Sequence, residues 1–398
     1  MYNYFDYAAA TPLSPTVLKA LEPYFIDKFY NPSAQYLSAQ AVRKDVEKAR
    51  ADVAQVLSVR PSEIIFTAGG TESDNLAIHG VMSRFPDANC VVTAIEHDAV
   101  LVPAALYNCK VAPVDSDGRV DLEAIKSLID DSTVLVSVMY ANNEIGTIQP
   151  LTEISKLINR IRAKRQIEVN IGAKGKGQRA NKTDSALCSQ PLPLYLHTDA
   201  CQAPNCLQVL PHTLGVDMMT LNGGKIYGPK QSGILYVNSG IELNPLIYGG
   251  GQERNLRSGT ENVANIIGFS MALKEASERR GKESARLSGL QHTALKLISQ
   301  QLPKAILNGA IGYRLANNIH LTLPGQDNER LMMQLDEKGY QVAAGSACSA
   351  SSDEPSHVLK AIGLSDEEAR SSLRITMGRD TTEENLKGLI STIATLIA

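Results

Sequence analysis

No apolar run in this chain of 398 residues reaches the length of a membrane-spanning helix, so none is expected. Neither sign of charge dominates. The chain has 39 Lys and Arg against 42 Asp and Glu, and a net charge of −3 offers no general attraction to nucleic acid or an anionic membrane. The N-terminal "MYNYFDYAAATPLSP" lacks the basic and then apolar layout of a secretory signal, so a cytoplasmic location is expected. Six cysteines occur, at 90, 109, 188, 201, 206 and 348, and none forms a CxxC pair. Cys201 and Cys206 have no second pair to complete a zinc site, so no metal is expected and the thiols should be reduced and mostly buried. No internal repeat is visible.

What is present is a composition that can bury a large core. Apolar residues make up 43% and charged residues 20%, and the length suits a large domain with a smaller companion. From Pro15 to about Leu57 the apolar spacing is helical. Then "EIIFTA", "NCVVTA", "KVAPV", "TVLVSVMYA", "LYLHTDA", "MMTL" and "GILYV" read as strands alternating with helical stretches. Several are continuous apolar runs, which predicts an α/β architecture with a mostly parallel sheet covered by helices on both faces. After "YGGGQERNLRSGTEN" the pattern becomes α+β, with a long helix from Ile266 to about Leu302. The expected division is therefore a large domain over 16–258 and a smaller one from 1–15 with 259–398. The basic stretch 160–193, "RIRAKRQIEVNIGAKGKGQRANKTDSALCSQPLP", reads as a flexible surface insertion where a short link would suffice. Docking of an acidic partner there stays open, while direct nucleic-acid binding is not expected.

Glycine-flanked lysines draw attention in "LNGGKIYGPKQSG". The spacing excludes a Walker A loop, because Ile226 follows Gly224-Lys225 and Met219 stands where the first glycine belongs. What remains is a strand end presenting Lys225, a position from which a desolvated amine attacks a carbonyl to form a Schiff base. Asp199 ends the strand of "LHTDACQ", placed to pair with a protonated pyridine nitrogen, and Gln202 follows three residues later. In "FTAGGTESDNLAI", Gly70 and Thr71 open a helix whose amides suit an anion, although an ordinary capped helix with Thr71 as N-cap fits equally. His97 in "IEHDAV" and Asn143 in "MYANNEIG" also follow strands, and could face a ring or simply serve their loops. Together these positions describe a pyridoxal 5'-phosphate site.

On "YFDYAAATP", "NPSAQY", "TESDNLAI", "EHDAV", "NNEIG", "TDACQ", "KIYGPK", "GGGQERNLRSGTENV", "GSACSASSDEPSHVL" and "SSLRITMGR", the chain resembles the cysteine desulfurases of the class V aminotransferase group. The resemblance spans nearly the whole length. It implies the fold of a fold-type I pyridoxal-phosphate-dependent transferase, with a smaller α+β C-terminal domain. It implies conversion of L-cysteine to L-alanine on a cofactor held by Lys225, with Lys225 and His97 as proton carriers. The sulfur would pass to Cys348 as a persulfide and then to an acceptor protein serving iron–sulfur assembly or tRNA thiolation. Cys348 sits among Gly, Ser and Ala, a setting that suits an exposed, travelling thiol rather than a buried one. Arg374 would grip the substrate carboxylate. Thr260 would reach the phosphate of a neighbouring subunit, which implies a homodimer.

Three features depart from the family pattern. Gly224 and Asn222 stand where relatives carry a phosphate-binding histidine and serine, so Gly70, Thr71, Asn222 and Thr260 are expected to carry more of the phosphate. The basic insertion is the second. The third is the end at Ala398, soon after the last helix, where some relatives have a longer docking tail. A selenocysteine lyase or another cofactor-dependent lyase is the alternative enzyme, and a non-catalytic scaffold subunit the alternative of another class. The Cys348 segment speaks against the first. The joint presence of Lys225, Asp199, His97 and Cys348 speaks against the second.

Overall fold

The computed structural model describes residues 3–175, 191–345 and 354–398. Among them, twelve strands follow in chain order: β1 (Asn3–Tyr4), β2 (Ile64–Thr67), β3 (Asn89–Thr93), β4 (Asn108–Ala112), β5 (Thr133–Ser137), β6 (Tyr195–Asp199), β7 (Met218–Asn222), β8 (Gly233–Val237), β9 (Ile306–Leu307), β10 (Asn318–Thr322), β11 (Tyr340–Gln341) and β12 (Ser372–Thr376). Strands β2 to β8 form one sheet in the order β2-β8-β7-β6-β5-β3-β4. Only β8 runs against its neighbours. All the other strands therefore end at the same edge, where open α/β sheets hold ligands.

The expected strands lie where the apolar runs place them, because both faces of the sheet are covered. Along β2, Ile64 and Phe66 enter one core while Ile65 enters the opposite one, and β8 divides Ile234 and Tyr236 from Leu235 and Val237 in the same way. Helices Leu37–Leu57, Leu151–Gly175 and the first half of Val263–Gln301 cover the first face. Helices Gly70–Met82 and Asp98–Ala104 cover the second.

Two segments differ from expectation. The helical reading of 15–57 breaks into Pro15–Leu21, Pro23–Ile26 and Leu37–Leu57. Pro23 and Pro32 lack the amide a continuous helix needs, and each biases its predecessor away from helical geometry. The first half of the basic stretch is not a loose surface loop, because helix Leu151–Gly175 runs through it. Arg165 is buried there and donates to Thr133 O at 3.0 Å, and Arg162 donates to Leu194 O at 2.7 Å and pairs with Asp217. Its basic side chains thus tie the helix to the ends of β5 and β6. Residues 176–190 lie outside the described residues.

The C-terminal part builds a second core. An antiparallel sheet, β12-β10-β9, packs with helices Asn328–Glu337 and Glu383–Ile397, and β1 joins this part by pairing with β11. Helix Val263–Gln301 bridges the two units. Its Phe269 and Leu273 belong to the large core, and its Leu290 and Ile298 to the second.

Candidate active site

The strand ends converge on a cavity of about 210 Å³. Gly70, Thr71, His97, Asn143, Asp199, Gln202, Asn222, Lys225 and Arg374 all line it. Residues from positions 70 to 374 thus meet in one space, although only the strand-end rule relates them in sequence. A larger cavity of about 450 Å³ lies between the N-terminal segment and helix Glu383–Ile397, and Lys230 lines it. It contains none of the expected site residues. Lys230 is exposed and Lys225 is not, which separates the two lysines of the glycine-rich stretch.

Lys225 closes a short 3-10 turn, Gly223–Lys225, capped by Asn222, whose Oδ1 accepts from Gly224 N at 2.9 Å. With Oδ1 so used, the Asn222 amide nitrogen is the end turned toward Gly70, 3.4 Å from where a Gly70 Cβ would lie. Lys225 Nζ donates to Ala8 O at 2.9 Å and Ala9 O at 2.6 Å, and Gln202 Nε2 also donates to Ala8 O at 3.0 Å. The N-terminal "AAA" therefore supplies backbone acceptors to the site. The sequence carries no signal for this, because a carbonyl has no residue type.

Helix Gly70–Met82 begins after Gly69, whose φ of 137° suits glycine, and β8 packs so closely that a Cβ on Gly233 would come within 2.7 Å of Gly69. Gly69 is the N-cap and no side chain caps the helix, so Thr71 does not act as the cap. A 13-residue helix thus points uncapped amides and the Thr71 side chain at the cavity, an arrangement suited to an anion.

Loop duties and site duties divide between neighbours. Asn142, fully buried, holds its loop by accepting from Glu144 N and Ile145 N, while Asn143 lines the cavity. His97 serves both, capping helix Asp98–Ala104 by accepting from Ala99 N through Nδ1 at 3.0 Å. That bond leaves the neutral-ring proton on Nε2. Asp199 Oδ1 accepts from Cys201 N at 2.8 Å, which fixes the carboxylate at the end of β6. Arg374, almost fully buried, donates to Asp6 Oδ1 at 2.7 Å and Asn143 O at 3.2 Å, and its Nε has no hydrogen-bond partner among the described residues.

Beneath these residues lies a layer that sequence reasoning missed. Asp74, His197 and Glu96 are fully or almost fully buried. Burial, joined by the charge of Asp199, raises Asp74 well above the usual carboxylate range. Burial also lifts Glu96 to about 8, and lowers His197 to about 4 against the pull of Asp199. Cys201 lines the cavity, and burial with the nearby carboxylates keeps its thiol protonated. Cys90, Cys201 and Cys206 are buried as expected, and Cys109 is partly so. Among the described residues no group of His, Cys, Asp or Glu could hold a metal ion.

One expected residue, Thr260, does not line the cavity. Thr260 is exposed on the loop before helix Val263–Gln301. Cys348 lies outside the described residues, but both flanks of its segment are placed. Ala343 exchanges backbone hydrogen bonds with Arg374, at 2.7 and 3.2 Å. Beyond the segment, Ser356 Oγ donates to Glu144 Oε2 at 2.6 Å, and His357 Nε2 donates to Glu96 O at 2.9 Å. Both flanks are thereby anchored at or next to residues of the cavity wall.

The architecture, a mostly parallel seven-stranded sheet with ligand-facing strand ends and a smaller C-terminal unit, is that of fold-type I pyridoxal-phosphate enzymes. The aminotransferase class-V family model matches residues 3–167 and 185–389, and the chain belongs to that family. The gap in the match falls within the basic insertion. Curated relatives include "Cysteine desulfurase IscS" of Dictyoglomus turgidum, 38% identical over 99% of this chain and 94% of that protein. "Cysteine desulfurase IscS 1" of Archaeoglobus fulgidus is 37% identical over 99% and 96%. A solved structure titled "NifS-like protein" superposes with a TM-score of 0.85 at 30% identity, covering 100% of this chain and 99% of that one. The NifS-like protein of Rickettsia africae follows at 0.84 and 28%, with 100% and 99% covered. No described helix is long and apolar enough to cross a membrane.

Proposed function

We propose that this chain is a cysteine desulfurase, which converts L-cysteine to L-alanine and passes the sulfur through Cys348 to an acceptor protein. The observation that carries this reading is the convergence of Lys225, Asp199, His97, Gln202 and Arg374 on one cavity, in a chain whose full-length relatives bear that name.

The donor set fits pyridoxal 5'-phosphate. Lys225 offers an amine for its aldehyde, Asp199 a buried carboxylate for its ring nitrogen, and the Gly70–Thr71 helix start an anion seat. Asn222, whose amide nitrogen is turned toward Gly70, would offer the phosphate a donor where Gly224 has no side chain. Bound there, the cofactor supplies an electron-accepting ring for bonds at the substrate α-carbon.

The chain's own residues divide the rest. Asp199 would hold a proton on the nitrogen of the bound ring. His97, which lines the cavity and carries its ring proton on Nε2, would serve as a proton carrier there. Lys225, whose Nζ donates to the carbonyls of Ala8 and Ala9, would carry protons to and from the substrate carbon. Arg374, with its Nε uncommitted, binds the substrate carboxylate. Cys348, tethered between the Ala343 and Ser356 anchors, takes the sulfur as a persulfide. Thr260, exposed on its loop, would reach the phosphate held by a second copy, so that the working unit would be a homodimer. Phe25, Ile26, Phe29 and Leu37, all large apolar side chains exposed to solvent, suit that pairing.

The test is sulfide and alanine formation from L-cysteine by wild type, Lys225→Ala and Cys348→Ser. The wild type is expected to be yellow and active. Lys225→Ala should lose both colour and activity. Cys348→Ser should keep colour and lose sulfur transfer. Equal sulfide output from wild type and Cys348→Ser would sink the persulfide role.

A further inference from the structure

Glu72 follows Thr71 in the first turn of helix Gly70–Met82, yet it does not line the cavity that Gly70 and Thr71 open onto. Its carboxylate joins two other segments instead. Oε2 accepts from Ala68 N at 2.8 Å, which closes the turn over Gly69, the residue with φ of 137°. Oε1 accepts from Arg257 Nε at 2.9 Å, and Arg257 Nη2 lies 3.5 Å from Oε2. The pair is half-buried, with the Glu72 side chain 14% exposed and that of Arg257 25%. Arg257 arrives from a loop 185 residues further along the chain. That loop is itself braced. The backbone of Arg257 bridges to Ile247, and Ser258 N donates to Ile247 O at 3.2 Å. Glu253 is fastened to Arg50 and Phe66 N, and Arg254 to Ile64 O. The guanidinium is thus presented to Glu72 by a fixed support.

A carboxylate in the first turn of a helix draws on the positive end of the helix dipole. Beside an anion seat, it also repels the anion. Without a counterion, Glu72 would work against the seat that its own helix provides. Yet its hydrogen bond to Ala68 N shapes the turn that presents Gly70 and Thr71. A guanidinium against the carboxylate resolves the conflict, because it offsets the charge and leaves the hydrogen bond in place. We propose that Glu72 and Arg257 are a pair of positioning residues for the cofactor phosphate: Glu72 shapes the turn 68–72, and Arg257 offsets its charge so that the turn accepts an anion. Neither residue lines the cavity, so both act through the Gly70–Thr71 backbone.

The role rests on the reading of the cavity as a pyridoxal-phosphate site, and two ligands separate the two ideas. Equilibrium binding to the purified full-length apoprotein is measured by absorbance for pyridoxal 5'-phosphate and for pyridoxal, which lacks the phosphate. If wild type binds neither, the functional reading fails and the role of the pair falls with it. If wild type binds pyridoxal 5'-phosphate, the variants decide. Arg257→Ala should weaken that ligand about tenfold and leave pyridoxal unchanged. A pair that served only to hold the fold would weaken both ligands alike. Arg257→Lys keeps the charge and should stay within about threefold of wild type.

A second comparison adds Glu72→Gln to Arg257→Ala. Glutamine keeps an acceptor for Ala68 N and carries no charge. The double variant should therefore bind pyridoxal 5'-phosphate more tightly than Arg257→Ala alone, and within about threefold of wild type. Both side chains are partly exposed, so neither change empties a core position, and thermal unfolding checks that each variant is folded. No loss in Arg257→Ala would overturn the proposal. So would equal losses for the two ligands, or a double variant as weak as the single one.

Discussion

Arg374 on β12 and Asp6 in the N-terminal segment meet at 2.7 Å, joining two ends of the chain that are 368 residues apart. The guanidinium is almost fully buried, so its charge depends on this partner and on Asn143 O. Asp6→Asn should therefore lower the unfolding free energy by about 3 kcal/mol, as measured by urea denaturation, because a buried charge loses its counterion. It should also raise KM for cysteine more than it lowers kcat, because Arg374 loses its orientation before the substrate arrives.

Gly224 has room for a side chain. A Cβ there would meet Asn222 Oδ1 at 3.4 Å and Lys230 Cα at 3.8 Å, both ordinary contacts. Gly224→His should fold and tighten pyridoxal phosphate binding by up to about tenfold, the value of one added hydrogen bond. Equilibrium dialysis measures this. Unchanged or weaker affinity would show that the phosphate lies beyond reach of that position.

Glu96 should make stability fall as pH rises. Its folded value of about 8 exceeds its ordinary value of 4.5, so between these the folded state binds more protons than the unfolded state, and stability declines with increasing pH. The slope approaches about 1.4 kcal/mol per pH unit for one group. Glu96→Gln removes this slope. Thermal unfolding should find the variant close to wild type near pH 4.5, with a growing advantage up to pH 8. Parallel curves for the two proteins would show that Glu96 does not retain its proton.

The loop that carries Thr260 begins with three successive left-handed residues, Glu253, Arg254 and Asn255, at φ of 45°, 58° and 65°. Glu253 is held by Arg50 through two bonds of 2.7 and 2.8 Å and accepts from Phe66 N at 2.9 Å. Those contacts offset the backbone strain. Glu253→Ala should cost about 3–5 kcal/mol of stability and expose residues 247–262 to limited proteolysis. Resistance equal to wild type would mean that the loop is fixed by other contacts.

Much of the site was legible because strand ends are visible in sequence. Lys225, Asp199, His97 and Asn143 each follow an apolar run, and a parallel sheet delivers such positions to one edge. The ambiguous positions were resolved by geometry. Thr71 could have been a cap, and the chain uses Gly69 instead. Asn142 and Asn143 are chemically identical, and only packing assigns the first to the loop and the second to the cavity. The basic stretch looked aperiodic, yet its first half is helical because Arg162 and Arg165 find carbonyls on the sheet.

By itself the sequence determined the α/β class, the strands and the residue types of the chemistry, because alternation of buried faces and the placement of reactive groups at strand ends are local properties. Tertiary structure alone decided what surrounds them. The carbonyls of Ala8 and Ala9 on Lys225 and the partnership of Asp6 with Arg374 join parts of the chain far apart in sequence. Charge and proton placement in a buried site depend on distance and desolvation, and neither is fixed until the chain has folded.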